Sequence, residues 1–360
     1  MRLSDFDYEL PVGLIAQHPL PRRDDSRMMV VDRASGRIRH GAFKDVGRFL
    51  GAGDVLVLND ARVIPAKAWG TIAGKDVEFL FLKESAPGVW DVLCKPAGRV
   101  KPGGRVRFGP GFEADVVGRG EEGRRSLRFA VNDVLAGLRE IGYAPLPPYI
   151  KRKRSDLEDR PRDLERYQTV FAARESAIAA PTAGLHFTRA ALAAIKAEGV
   201  EVVPVTLEVG LATFQPVRVE DLDEHAMLEE RYEISAAAAA AINAAKRGGR
   251  PVLAVGTTVV RALESAALAA QGRARGQASG PQRNIPPAVV PGAASSSLFI
   301  KPGFAFRVVD RLLTNFHLPQ STLLVLVSAF AGRELVLAAY REAVRERYRF
   351  FSYGDVMLIV

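Results

Sequence analysis

The chain has 360 residues, 48% of them apolar and 25% charged; that is a globular composition too long for one core, so two domains are expected. A formal charge of +9 suits a polyanionic partner such as RNA, or equally a basic solvated surface. No apolar run of about 18 residues occurs, Met1–Asp7 has no signal-peptide core, and one cysteine with five scattered histidines offers no disulfide and no HExxH-type pair. The expectation is a cytoplasmic protein with no membrane segment and no metal.

In chain order, Ser4 is a candidate cap, Pro11–Gln17 reads as a short helix and Met28–Val31 as a strand. Val55–Leu58 is a wholly apolar strand that runs into the polar Asn59-Asp60-Ala61-Arg62. From Trp69 to Val131 six short β-like segments alternate with Gly/Pro turns, the pattern of a small antiparallel barrel inserted in the first domain. Its Gly118-Arg119-Gly120-Glu121-Glu122-Gly123 has the spacing of a dinucleotide motif but lacks a following helix, and reads as a hairpin. Lys151–Arg154 is an exposed loop or a phosphate contact.

Ala177–Ala180 reads as a buried strand opening into Pro181–Phe187, with Thr188 starting a helix to Gly199. Val200–Val209 is a strand, Ser235–Lys246 a helix stopped by Gly248, Pro251–Val255 a strand, and Val259–Ala267 a helix. Residues 271–297, rich in Gly, Pro, Ser and Ala, read as a long mobile loop. Strands follow at Leu298–Ile300 and Phe306–Leu313, then helices from Ser321 to Ala331 and Glu334 to Arg347. A last strand, Arg349–Val360, is interrupted at Ser352–Asp355. The expected fold is an α/β main domain with a mixed sheet (1–66 and 147–360) plus an inserted small antiparallel β-barrel domain (67–146).

Polar residues recur where these strands end: Asn59, Asp60 and Arg62; Thr182, Gly184 and His186; Glu208, Gly210 and Thr213; Gly256, Thr257 and Thr258; Asn315 and His317. If the strands share a sheet, their ends converge on one site. Gly256-Thr257-Thr258 can bind a carboxylate or phosphate at a helix start, or Thr257 or Thr258 can simply cap it. Arg261 and Glu264, one turn on, form a solvated pair or line the pocket.

In order, these segments resemble the S-adenosylmethionine:tRNA ribosyltransferase-isomerase family of queuosine biosynthesis. The resemblance rests on Ser4–Asp7 with Leu14–Pro19, Asn59–Ala66, Leu146–Ile150, Tyr167–Val170, Ala180–Thr188, Val209–Leu211 with Thr213-Phe214, Gly256–Thr258 with Val260-Arg261 and Leu263–Ser265, Thr314–Pro319 with Ser321–Leu323, and Tyr348–Asp355. Two departures stand out. Leu228 occupies a place where the family commonly has a histidine, and Ser296-Ser297 replace its Trp-Thr.

The resemblance implies transfer and isomerisation of the ribosyl part of S-adenosylmethionine onto 7-aminomethyl-7-deazaguanine at the tRNA wobble position. The product is epoxyqueuosine, with adenine and methionine released. No cofactor beyond the co-substrate S-adenosylmethionine, no metal and a monomeric state are expected. Proton transfer from the C5′ carbon beside the sulfonium calls for a base, with His186, His317, Asp60 and Glu208 as candidates. Asn59, Arg62, Thr182, Gly184, Gly210, Thr213, Gly256, Thr257, Thr258, Arg261, Asn315, Tyr353 and Asp355 are the candidate binding residues. Two other readings of the residues are a non-catalytic RNA-binding protein and an S-adenosylmethionine-dependent tRNA methyltransferase.

Overall fold

In the computed structural model, which describes residues 1–131, 133–153, 158–210, 217–277 and 289–360, the apolar run at Val55 becomes the strand Val55–Asn59 of a nine-stranded sheet. Across the sheet the order is Gly292–Ser296, Glu230–Ile234, Glu201–Leu207, Val55–Asn59, Val252–Val255, Arg311–Asn315, Val356–Ile359, Arg27–Asp32 and Arg37–Ala42. The four strands from Glu201–Leu207 to Arg311–Asn315 are parallel. Antiparallel pairing appears on both sides of them, so the sheet is mixed. Parallel strands covered on both faces must be apolar on both. Val55 and Val57 enter one core, Leu56 and Leu58 the other, and Val252/Ala254 and Leu253/Val255 divide in the same way.

The second body is a closed antiparallel barrel of Lys67–Ile72, Lys75–Ala86, Val89–Lys95, Arg105–Gly109, Phe112–Arg119 and Arg124–Phe129. It has its own core, centred on Phe79, Phe81, Val92, Val106 and Leu127. The helix Val134–Ile141, capped by Asp133 through Ala136 N at 2.9 Å, lays Leu138 on that core. Gly118–Gly123 turns the hairpin between the last two strands, with Glu122 and Gly123 at positive φ. No helix opens there, and the dinucleotide spacing is incidental.

Several boundaries differ from the sequence reading. The helix from Thr257 continues to Gln277 and Gly292–Ser296 pairs with Glu230–Ile234, so 271–297 is helix at one end and strand at the other. The strand expected at Phe306–Leu313 begins only at Arg311. The backbone N–H groups of Arg307, Val308 and Val309 are instead taken by the buried Glu264 carboxylate at 2.8–3.0 Å, which leaves none for a ladder. The final strand is only Val356–Ile359, because the preceding turn closes on Asp355, which accepts from Arg27 N and Arg349 N. That turn needs Gly354, since a Cβ there would lie 2.4 Å from Arg349 O. Ala177 ends a separate two-stranded sheet with Ala61–Val63, and Thr182–His186 is a 3-10 turn lying over Arg311–Asn315 rather than the end of a main-sheet strand. No single helix among the described residues is long and apolar enough to cross a membrane.

Candidate functional site

The carboxyl ends of the parallel strands open into a cavity of about 220 Å³, the position where open α/β sheets bind ligands. Four stretches wall it: Ala179–Ala183, Gly256–Thr258 with Arg261, Thr314–Leu323, and Phe351-Ser352; Pro147, Pro148, Tyr149, Tyr167, Val209 and Met227 complete it. The long helix begins at Thr257 and a second, capped by Ser321 through Leu324 N at 3.3 Å, begins at Thr322. Both therefore turn the positive ends of their dipoles toward the cavity. Gly256, at φ +92°, makes the sharp exit from Val252–Val255 that places Thr257 and Thr258 there.

Arg261 is buried, and its Nη1 donates to Glu230 Oε2 at 2.5 Å. Burial pushes the Glu230 carboxyl up, while Arg261 and the Gly210 N–H hold it down. Three buried polar atoms of cavity residues have no partner among the described residues: Arg261 Nε, Thr258 Oγ1 and Asn315 Oδ1. Each such atom costs about 1–3 kcal/mol.

The two expected histidines part company. His317 lines the cavity, its Nε2 2.7 Å from Thr314 Oγ1 and its backbone N donating to Tyr340 Oη at 3.0 Å. His186 lies behind the wall, between Ser26 Oγ at 2.7 Å and Asn315 Nδ2 at 3.2 Å. Burial pushes both imidazoles down to about 3, aided at His186 by Arg23 and Arg349.

Of the expected residues, the cavity gathers Thr182, Gly256, Thr257, Thr258, Arg261, Asn315 and His317. The others serve the surrounding frame. Asn59 accepts from Leu207 N and Ala61 N, tying two strands, and Asp60 takes the Thr206 hydroxyl at 2.6 Å. Arg62 donates to Ala172 O. Gly184 makes room for Phe171, whose ring would lie 2.8 Å from a Cβ. Glu208 and Gly210 bond through their backbone N–H groups to Arg231 O and Glu230. Tyr353 Oη donates to Asp163, and Asp355 closes the C-terminal turn. Thr213 lies outside the described residues. Among the described residues no cluster of metal-binding side chains occurs.

Sequence reasoning passed over Tyr149, Tyr167, Met227 and Ser352. Tyr149 Oη and Ser352 Oγ meet at 2.8 Å across the cavity wall. Both stand in segments that carried the family resemblance, and that was the available signal. A rule seeking polar residues at strand ends cannot find residues on loops.

A larger cleft of about 920 Å³ runs between barrel and sheet domain. It shares Pro147 and Pro148 with the cavity. Lys67, Lys95, Lys151, Arg152, Lys153, Arg160 and Arg218 line it with Trp69 and Tyr143, against Glu78, Glu122, Asp159 and Asp163. Three of the cations are paired with these acids: Lys67–Glu78 at 2.8 Å, Arg152–Asp163 at 2.8 Å and Arg218–Glu122 at 2.7 Å.

Residues 3–359 match the family described as Queuosine biosynthesis protein. The chain is 50% identical over full length to S-adenosylmethionine:tRNA ribosyltransferase-isomerase of Carboxydothermus hydrogenoformans, with 100% of both chains covered. It is 51% identical to the protein of the same name from Citrifermentans bemidjiense, again covering 100% of both. The crystal structure of S-adenosylmethionine tRNA ribosyltransferase from Thermotoga maritima aligns with a TM-score of 0.53 at 35% identity, covering 99% of this chain and 100% of that one.

Proposed function

Because the chain belongs to the Queuosine biosynthesis protein family, we propose that it moves and isomerises the ribosyl part of S-adenosylmethionine onto the aminomethyl group of a 7-deazaguanine at the tRNA wobble position, releasing adenine and methionine. One observation carries the reading. Segments that bear the family resemblance, 180–183, 256–261, 314–323 and 351–352, meet around one cavity whose residues include three with unpaired buried polar atoms. That convergence supports the cavity as the S-adenosylmethionine site.

Arg261, held by Glu230 beside Thr257 and Thr258, suits the methionyl carboxylate, with a helix N-terminus adding to the positive field. Tyr149 and Phe351, their rings 4.7 Å apart, offer an apolar wall for adenine. The base removes a C5′ proton that the adjacent sulfonium acidifies. His317 is the one imidazole on the cavity wall, and no carboxylate lines the cavity among the described residues. It is the residue assigned to this step. The cationic cleft is where the RNA strand around the modified base would lie, with the base passing Pro147-Pro148 into the cavity.

The test is incubation with S-adenosylmethionine and tRNA bearing the deazaguanine amine. Adenine and methionine should be released together, with a cyclopentane-type mass added to the wobble base. Formation of S-adenosylhomocysteine would overturn the reading in favour of methyl transfer.

A further inference from the structure

Asn315 ends a central parallel strand, lines the cavity and is buried. Its Nδ2 faces three acceptors: Phe351 O at 3.1 Å, His186 Nε2 at 3.2 Å and Asp355 O at 3.5 Å. Two of these are carbonyl oxygens and can only accept, so the amide cannot be turned round without setting oxygen against oxygen. With Nδ2 donating, His186 Nε2 must present its lone pair. The ring proton then sits on Nδ1, 2.7 Å from Ser26 Oγ, and the Ser26 hydroxyl is 3.2 Å from Arg23 O, to which it can pass its own proton. The two carbonyls set the Asn315 amide, the amide sets the His186 tautomer, and the imidazole turns the Ser26 hydroxyl toward Arg23 O. At the far end, Asn315 Oδ1 is left without a partner.

We propose that His186 is a positioning residue: bridging Ser26 and Asn315, it acts with Phe351 O and Asp355 O to hold the Asn315 amide so that Oδ1 accepts a hydrogen bond from an N–H or O–H group of the nucleoside bound in the cavity. This rests on the reading of the cavity as the S-adenosylmethionine site. It gives His186 a role other than proton transfer, in keeping with its seat behind the cavity wall.

The test is a double-mutant cycle read by calorimetric S-adenosylmethionine binding, with turnover and its pH profile followed on the same preparations. His186→Leu, which removes the acceptor, should weaken binding about tenfold, the scale of one buried hydrogen bond. His186→Gln, whose side-chain oxygen can accept from Asn315 Nδ2, should restore affinity to within about threefold. In the Asn315→Ala background His186→Leu should add nothing, because its effect runs through that amide. Ser26→Ala, which frees the ring tautomer with a smaller packing change, should show the same non-additivity and keeps the test open if the leucine variant does not fold. Additive effects, or a glutamine variant no better than leucine, overturn the proposal. So does a loss of kcat with unchanged affinity and a displaced pH limb, which would assign proton transfer to His186. Wild-type protein that fails to bind S-adenosylmethionine overturns the cavity reading and this inference with it; failed coupling with wild-type binding intact overturns the inference alone.

Discussion

The cavity at the strand ends and the cleft beside the barrel share a wall at Pro147-Pro148, yet they are built from different materials. In the cavity, three buried polar side chains are held by other buried groups: Arg261 by Glu230, His317 by Thr314, Asn315 by His186. In the cleft, charges are many and, the buried Asp163 apart, half-exposed or exposed, and several are matched by neighbouring acids. Buried, preorganised dipoles act strongly on charge that develops in a reaction. Exposed cations act through a screened field that gathers a polyanion without fixing atoms. Substitutions in the cavity should therefore change kcat or ligand affinity, and substitutions in the cleft should change capture of the RNA and its salt dependence.

The sharpest break would come at His317. His317→Ala should lower kcat about 10²–10⁴-fold if it takes the C5′ proton, with the thermal midpoint little changed. Full turnover per folded molecule would remove it from the chemistry and leave the cavity a binding site only. Next comes Arg261→Met, which strands the Glu230 carboxylate and should cost about 3–5 kcal/mol in urea unfolding. The paired change Arg261→Met with Glu230→Gln should recover much of that stability but not S-adenosylmethionine affinity. Recovery of both would make the ion pair a matter of folding alone.

Smaller effects are expected in the cleft. Lys95→Glu with Lys151→Glu should raise the KM for tRNA about tenfold or more and lower the salt slope of tRNA binding by about one per lysine. The KM for S-adenosylmethionine should not move. Reversal of Lys44, exposed on the turn Phe43–Phe49, is the control and should leave both unchanged. An equal response at Lys44 would reduce the cleft to general basicity.

The last effect is in acid. Above pH 6.5 both buried histidines are neutral whether the chain is folded or not. Below it the unfolded chain binds protons that the folded one refuses until about 3. Stability should fall through that window by up to about 1.4 kcal/mol per pH unit for each histidine. His186→Gln should remove one proton's share of the slope between pH 6.5 and 5, read by urea midpoints. An unchanged slope would mean that the imidazole already titrates in the folded chain.

The two bodies also differ in how well their residues announced them. The barrel was legible strand by strand, because period-2 alternation and Gly/Pro turns are local signals. The sheet domain was legible where strands are apolar on both faces, as at Val55–Asn59 and Val252–Val255. It was not legible where long-range bonds override local preference. Glu264 draws the backbone of 307–309 out of the sheet from the next helix, and no local pattern announces that. Ala177–Ala180 is apolar enough for a main strand, yet Ala177 pairs with Ala61–Val63. Polar residues at strand ends found Thr257, Thr258, Asn315 and His317. The same rule swept in Asn59 and Asp60, which tie strands together, because sequence alone does not say which way a strand end faces.

The most direct measurement is a crystal structure of the complex with S-adenosylmethionine. The account predicts the nucleoside in the cavity at the ends of Val252–Val255 and Arg311–Asn315. A ligand N–H or O–H should lie within hydrogen-bond distance of Asn315 Oδ1, with the methionyl carboxylate at Arg261 and the Thr257 helix start. S-adenosylmethionine bound in the cleft beside Trp69, with Asn315 Oδ1 and Arg261 untouched, would contradict it.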